Sequence, residues 1–193
     1  MISEIEEYAR DNNVPIMMKD GITYLCDYIK NNNVKTILEI GSAIGYSSIM
    51  MALVDNDIKV TTIEKDANRY NIAVANINKF NLSSRITILN EDALESNITG
   101  YYDLIFIDAS KGNNINFFNK YKDNLAKNGA IVTDNLSFHG LVEDETLIKT
   151  KNQKGIVKKI KLYIDFLSNN KDFTTTYVPV GDKISISKKV HHE

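Results

Sequence analysis

Two kinds of segment alternate along the chain. Short apolar runs rich in β-branched residues are separated by longer amphipathic segments, a pattern typical of a parallel sheet covered by helices. Near-continuous apolar runs such as residues 104–107 indicate strands that are buried on both faces. We therefore predict strands at residues 35–40, 59–63, 86–89, 104–107 and 130–133.

The amphipathic segments repeat their apolar positions at helical spacing. They predict helices at residues 46–54, 67–80, 115–126 and 154–167, and two more before the first strand at 5–13 and 21–31. Residues 174–178 and 183–187 flank a Pro-Val-Gly-Asp turn, which indicates an antiparallel hairpin at the sheet edge. The predicted fold class is α/β and Rossmann-like: a mostly parallel seven-stranded sheet with a C-terminal antiparallel hairpin and helices on both faces.

Composition places the chain among ordinary globular proteins, since 43% of its 193 residues are hydrophobic and 25% are charged. We expect one domain over residues 1–193, with residues 1–33 as an N-terminal helical extension. The single cysteine, Cys26, excludes an internal disulfide and fits a reducing compartment. No apolar stretch reaches the ~18 residues that span a bilayer, and the acidic start is unlike a secretory signal. We therefore expect a cytoplasmic protein without membrane contact.

The formal net charge of −2 gives no overall basic signature for nucleic acid. The charge is nevertheless uneven, because residues 149–161, here called the basic stretch, contain no acid. Its six cations are Lys149, Lys151, Lys154, Lys158, Lys159 and Lys161. The basic stretch is either a solvated helix face or a patch that contacts phosphates.

A glycine-rich turn follows the first predicted strand, in the sequence EIGSAIGYSS at residues 39–48. Gly41 and Gly45 allow a tight turn and close approach to a ligand. Ser47 and Ser48 offer hydroxyls at the start of the next helix, where they would suit the carboxylate of an amino-acid ligand. Such a turn alone is a weak signal, but Ala43 interrupts the dinucleotide fingerprint. Glu39, two positions before the first glycine, matches the acidic residue of the turn in methyltransferases that use S-adenosylmethionine (SAM).

Two further strand ends complete the predicted cofactor site. Glu64 ends the second strand, where a carboxylate can accept hydrogen bonds from both hydroxyls of a ribose. Asp92 and Ala93 follow the third strand, at the position where an adenine would lie. Each residue means little alone, and their order along the chain carries the prediction.

An oxygen-rich group of side chains ends the fourth and fifth strands. Asp108 follows the fourth strand, and Asp134 and Asn135 follow the fifth, so all three face the crevice beside the glycine turn. Two carboxylates and an amide oxygen are ligands that suit Mg²⁺, and the same set accepts Mn²⁺. Lys111, three residues after Asp108, is close enough to accept a proton at this site.

These segments resemble a known family. FIDASK at residues 106–111 and DNLSFHG at residues 134–140 resemble two motifs of the catechol O-methyltransferase-like family, and the resemblance extends from about residue 15 to the C-terminus. It implies the class I methyltransferase fold, SAM as cofactor, a homodimer, and Met18 as a further cofactor contact. It also implies Asp108, Asp134 and Asn135 as metal ligands, with Asp108 touching the cofactor as well, and Lys111 as general base.

The acceptor is predicted from one more segment. VPIMMKDG at residues 14–21 is similar to the bacterial branch of the family that methylates 5-hydroxyuridine at the wobble position of the tRNA anticodon loop. The 5-hydroxyl and 4-carbonyl of that base are adjacent oxygens, as in a catechol, and a small catechol-like phenol is the alternative acceptor. More distant alternatives are an NAD-dependent oxidoreductase and a non-catalytic RNA-binding protein. His139 is either a substrate contact or an exposed loop residue, and His191 and His192 receive no role.

Overall fold

A seven-stranded sheet forms the centre of the computed structural model, which describes residues 1–190. Its strands are β1 (Thr36–Ile40), β2 (Lys59–Ile63), β3 (Ile86–Leu89), β4 (Tyr102–Ile107), β5 (Leu125–Thr133), β6 (Phe173–Val178) and β7 (Ile184–Lys189). The spatial order is β3-β2-β1-β4-β5-β7-β6. Strands β1 to β5 are parallel, and β7 runs antiparallel to β5 and β6. The fold predicted from the sequence is confirmed. His191 and His192 lie outside the described residues.

Helices cover both faces of this sheet, as predicted. They are α1 (Ile2–Asp11), α2 (Lys19–Asn31), α3 (Tyr46–Ala52), α4 (Ala67–Lys79), α5 (Asn114–Tyr121) and α6 (Lys151–Ser168). Apolar residues of α1 to α4 form one core with one face of the sheet, and those of α5 and α6 form a second core on the other. Among the described residues, no helix has the length and apolar character needed to cross a membrane.

The central strands supply both cores at once. In β1, Ile37 belongs to the first core and Leu38 to the second, because neighbouring side chains of a strand point to opposite faces. In β4, Leu104 and Ile105 divide in the same way, and all four side chains are fully buried. Burial on both faces explains why these strands read as continuous apolar runs.

The start of β5 differs from the prediction. The helix predicted over residues 115–126 ends at Tyr121, and a short 3-10 turn leads into β5 at Leu125. Leu125 lies four residues after Tyr121, so its apolar side chain continues the helical spacing. In the structure it instead pairs with Tyr102 of β4, and the pairing resumes at Leu104 and Ala130 after an irregularity. The buried strand residue Leu125 therefore lay at a helical spacing from the apolar residues of α5, which made the predicted helix too long.

The crevice at the carboxyl ends of the strands follows from the order of connections. Helices α3 and α4 lie on one face while the chain moves outward from β1 to β3. The chain then crosses to β4, on the other side of β1, and α5 covers the opposite face. In open parallel sheets, ligands bind where the direction of winding reverses. That point here is the edge between β1 and β4.

Phe118 of α5 offers a test of the second core. Its ring is fully buried and lies edge-on to Tyr163, Phe166 and Phe173, with the Phe173 ring centroid 4.9 Å away. Phe118→Ala should lower the free energy of unfolding by about 3–5 kcal/mol, because a large cavity opens between the rings. Urea unfolding measures this loss. Tyr101→Ala, at a side chain that is 74% exposed, is the control and should change stability little.

Candidate active site

The glycine turn lies against the end of β4. Gly41 has a φ of 92°, and a Cβ atom at this position would lie 2.6 Å from the carbonyl oxygen of Asp108. Gly45 has a φ of 84° and begins α3, where a Cβ atom would lie 3.3 Å from that of Ala73. Both positions therefore require glycine, for backbone conformation and for space. The close approach of Gly41 brings the glycine turn into contact with the end of β4.

Glu39, predicted as a cofactor contact, is a buried anchor beneath the turn and is not among the residues that line the cleft. Its carboxylate accepts hydrogen bonds from the hydroxyls of Ser47, Ser48 and Thr62, the last at 2.6 Å. Burial raises the pKa of Glu39 to about 7, although the three hydrogen bonds oppose this shift. Ser47 does line the cleft, but its hydroxyl is already donated to Glu39. The sequence predicted that hydroxyl for a ligand carboxylate.

The cleft itself has a volume of about 700 Å³, within the usual range for small-molecule sites. Most of the predicted site residues line it: Gly41, Ser47, Glu64, Asp92, Ala93, Asp108, Lys111 and Asn135. Glu39, Gly45 and Asp134 support its wall from behind. Met18 lies outside, 48% exposed at the start of α2, whereas the buried Met17 lines the cleft. The side chain that faces the cleft in this segment is therefore one residue earlier than predicted.

At the end of β2, the Glu64 carboxylate holds the loop backbone. One oxygen accepts the backbone N–H of Ala43 and the other that of Asp66, each at 2.8 Å. Asp92 is paired with Lys65 at 2.7 Å, and this contact lowers the pKa of the Asp92 carboxyl. A carboxylate oxygen has more than one acceptor site, so Glu64 can still receive hydroxyl donors from the cleft.

The three predicted metal ligands and Lys111 form one connected group. Nζ of Lys111 lies 2.9 Å from Oδ1 of Asp108, and Nδ2 of Asn135 donates to the same oxygen at 3.2 Å. Nδ2 of Asn135 also donates to Oδ2 of Asp134 at 2.9 Å. Asn135 has a φ of 66°, a left-handed conformation that asparagine tolerates better than most residues. The backbone at the end of β5 thus turns this amide toward the two carboxylates.

Asp134 shows that Lys111 does not fully compensate the negative charge of this group. The residue is 2% exposed, and its Oδ1 has no hydrogen-bond partner among the described residues. Burial, followed by repulsion from Asp108, raises the pKa of Asp134 to about 7. Among residues 1–190, no three His, Cys, Asp or Glu side chains converge, so a complete ligand set requires the amide of Asn135. Two carboxylates, one of them with an oxygen that lacks a partner, and an amide fit a hard divalent cation.

Asp182, in the turn between β6 and β7, is a buried acid that the sequence did not assign to the site. Its Oδ1 accepts the backbone N–H of His139 at 2.6 Å, and its carbonyl accepts that of Ser137 at 2.9 Å. Burial raises the pKa of Asp182, against the opposing effect of the nearby Lys111 charge. Asp182 therefore fixes the loop after Asn135. The only signal in the sequence was an acid within a predicted turn.

The fold and this cleft together define the class of SAM-dependent methyltransferases with a Rossmann-like sheet, and comparisons with known proteins support this class. A family model described as O-methyltransferase matches residues 1–190. A Staphylococcus aureus structure, provisionally named a caffeoyl-CoA O-methyltransferase, has a TM-score of 0.93 and 36% identity, covering 98% of this chain and 92% of that one. A Bacillus cereus O-methyltransferase in complex with SAH shares the fold, with a TM-score of 0.80, 24% identity, and coverage of 98% and 90%.

Curated relatives point to the same family. Caffeoyl-CoA O-methyltransferase from Stellaria longipes is 29% identical over 175 residues, which are 84% of this chain and 71% of the relative. Caffeoyl-CoA O-methyltransferase 2 from Petunia hybrida is 28% identical over 194 residues, with coverage of 92% and 78%. The chain belongs to the O-methyltransferase family. The enzyme class predicted from the sequence is confirmed.

The raised pKa of Glu39 generates a prediction about stability and pH. Folding raises this pKa from 4.5 to about 7, so the folded chain takes up a proton within that window. Stability must then fall as the pH rises from 4.5 to 7, by at most about 1.4 kcal/mol per pH unit for one proton. Glu39→Gln, which is neutral at every pH, should reduce this decline in urea unfolding measured across the window and leave the part that the raised pKa of Asp134 contributes.

Glu7→Gln, at an exposed position of α1, is the matched control and should keep the wild-type profile. Equal slopes for wild type and Glu39→Gln would show that Glu39 does not carry the proton.

Proposed function

We propose that the chain transfers the methyl group of SAM to a hydroxyl oxygen of an acceptor that carries a second oxygen on the neighbouring carbon. The observation that supports this most is the contact between two half-sites in one cleft. The glycine turn lies against Asp108, and Asp108 belongs to the oxygen-rich group with Asp134, Asn135 and Lys111. A cofactor bound at the turn and an acceptor held by the oxygen-rich group would then be neighbours.

SAM would lie along the ends of β1 to β3. Gly41 leaves the backbone open to the amino-acid end of the cofactor, and Glu64 would accept the ribose hydroxyls through its remaining lone pairs. Asp92 and Ala93 line the part of the cleft farthest along the sheet, where the adenine would fit. In this arrangement, the turn would place the amino-acid end of the cofactor beside Asp108.

A divalent cation, Mg²⁺ or alternatively Mn²⁺, would be held by Asp108, Asp134 and Asn135. When bound, it would act as a Lewis acid that makes an acceptor hydroxyl easier to deprotonate. Asn135 would contribute Oδ1, for which its amide must turn from the orientation described above. Nζ of Lys111, which lies at the cleft surface 2.9 Å from Asp108, would accept the hydroxyl proton in its neutral amine form, because the ammonium form has no lone pair. Alignment of the acceptor oxygen with the methyl group would supply much of the rate.

The first candidate acceptor is 5-hydroxyuridine in the tRNA anticodon loop, giving 5-methoxyuridine. Its adjacent oxygens suit the proposed chelation, and the basic stretch lies mostly on α6, beside the cleft. A small catechol-like phenol is the second candidate, and the names of the curated relatives favour it, because they act on a caffeoyl ester. A homodimer remains a prediction from the family resemblance.

The test follows labelled methyl groups from SAM into three acceptors: tRNA with 5-hydroxyuridine at the wobble position, tRNA with uridine there, and catechol. We expect label in the 5-hydroxyuridine tRNA with Mg²⁺ and none after chelation. Label in catechol alone would keep the chemistry and replace the acceptor. Metal-independent label would contradict the role of the cation, and label in no acceptor would contradict the proposed function.

Asp108→Asn separates the proposed metal role from cofactor binding. Loss of one carboxylate from the cation site should lower kcat by roughly a hundredfold or more, because Lewis-acid assistance contributes several kcal/mol. SAM affinity, measured by calorimetry without metal, should fall much less than kcat, because the substituted asparagine keeps the size and an acceptor oxygen of the aspartate. Asp123→Asn, which makes the same change at an exposed position near the opposite end of the sheet, is the control. Wild-type turnover in Asp108→Asn would exclude the proposed ligand set.

A further inference from the structure

A lysine of α6 reaches the cleft at its acceptor end. Lys159 and Ile156, about one turn apart on α6, line the cleft together with Gly112 and Asn113. Gly112 belongs to the 3-10 turn at Lys111–Asn113, directly after the oxygen-rich group, and α6 packs against this turn. The ammonium of Lys159 is therefore near the site of proposed methyl transfer but separate from the predicted ligands.

Two of the cations that line the cleft, Lys159 and Arg69, have no acidic partner among the described residues, and of these Lys159 is the one beside the oxygen-rich group. Lys111 is paired with Asp108, and Lys65 with Asp92. Lys161, two positions further along α6, is paired with Glu145. Within residues 1–190, Lys159 forms no ion pair and no side-chain hydrogen bond. A positive charge is thus left available at the mouth of the cleft.

The residue opposite Lys159 leaves space for this charge. A methyl group added at Gly112 would lie 2.8 Å from Nζ of Lys159 and 3.3 Å from its Cδ. The backbone of Gly112 is outside the left-handed region, so its conformation does not by itself require glycine. A side chain at position 112 would therefore require the end of the Lys159 side chain to move.

The neighbourhood favours a multiply charged anion as the partner of this lysine. Lys151, Lys154 and Lys158 lie within about two turns of Lys159 on the same helix, and the first acid of α6 is Asp165. Uncompensated lysines on one helix create a positive field that attracts phosphates more strongly than a single carboxylate. A lysine ammonium binds phosphate as a compact charge, without fixed geometry.

We infer that Lys159 is the contact for a phosphate group of the acceptor, which makes phosphate-bearing acceptors the preferred substrates of this cleft. The inference rests on the proposed function and deepens it. The phosphate has two chemical sources, the backbone of an RNA or a phosphate ester on a small molecule. In both cases the phosphate binds between α6 and the 3-10 turn while the hydroxyl faces Asp108 and Lys111.

The experiment compares acceptors that differ only in a phosphate. One pair is 5-hydroxyuridine and its 5′-monophosphate, and the other is 3,4-dihydroxyphenylethanol and its phosphate monoester; tRNA with 5-hydroxyuridine is the fifth acceptor. The proteins are wild type, Lys159→Gln, Lys159→Arg and Lys127→Gln. Lys127→Gln removes one exposed lysine near the start of β5, away from the cleft, and controls for net charge.

We expect Lys159→Gln to raise KM for phosphorylated acceptors by roughly tenfold or more, as for loss of a charged hydrogen bond, and to leave kcat nearly unchanged. Unphosphorylated acceptors should be unaffected, and Lys159→Arg should restore most of the loss. An effect with tRNA but not with either monophosphate would assign the phosphate to an RNA backbone. An effect with a monophosphate would assign it to the reacting molecule. Equal effects on phosphorylated and unphosphorylated acceptors, or none on any, would overturn the inference.

Binding provides a readout that does not depend on turnover. Calorimetry with the protein loaded with S-adenosylhomocysteine should show at least roughly tenfold weaker binding of a phosphorylated acceptor to Lys159→Gln than to wild type. Gly112→Ala should weaken the same binding by displacing the ammonium. Methyl transfer to no acceptor would contradict the proposed function, while calorimetry would still decide the phosphate contact. Equal affinities of wild type and Lys159→Gln for the phosphorylated acceptor, or no binding to wild type, would refute the phosphate contact at Lys159.

Discussion

One buried carboxylate connects the parts on which the site depends. Glu39 lies within β1 and is fully buried. Its carboxylate oxygens accept hydrogen bonds from hydroxyl groups of α3 and β2. A carboxylate without water must find such partners, because an unsatisfied buried charge would cost several kcal/mol. The first turn of α3 is thus attached beneath β1, and the five residues that connect them, Gly41 to Gly45, must make a tight turn. The shape of the cofactor loop follows from this constraint.

That loop then sets the position of the oxygen-rich group. The backbone N–H of Asp108 donates to the carbonyl of Ile40 at 3.0 Å, and Gly41 approaches the carbonyl of Asp108 so closely that no side chain fits between them. The ends of β1 and β4 are therefore held in fixed register. A displacement at Glu39 would be transmitted to Asp108 over two short contacts. The glycine turn and the oxygen-rich group are consequently parts of one edge of the sheet.

Sequence patterns were informative where a residue's environment is determined locally. Strands β2 and β3 have the predicted bounds, and the strand ends place Glu64, Asp108 and Asn135 around one cleft. The patterns could not distinguish Leu125 in a strand from a helical continuation, because both bury an apolar side chain four residues after Tyr121. They also could not give the direction of a side chain in a loop. The roles of Met17, Asp182 and Lys159 depend on contacts between segments that are distant in sequence.

The chain is nearly neutral overall, but its charges are unevenly distributed around the cleft. Asp134 and Asp182 are buried at one edge of the sheet, each with an oxygen that lacks a partner, while Lys159 stands unpaired at the rim. Placing the lysine beside the acids would have stabilised the fold, since paired buried charges cost less than single ones. The loop beside the acids adds a further cost. Phe138 and His139 both have left-handed backbone conformations, which are strained for residues other than glycine. Incompletely compensated charges of both signs beside one cleft therefore lower stability, and under the proposed function Asp134 would be available to a cation and Lys159 to an anion.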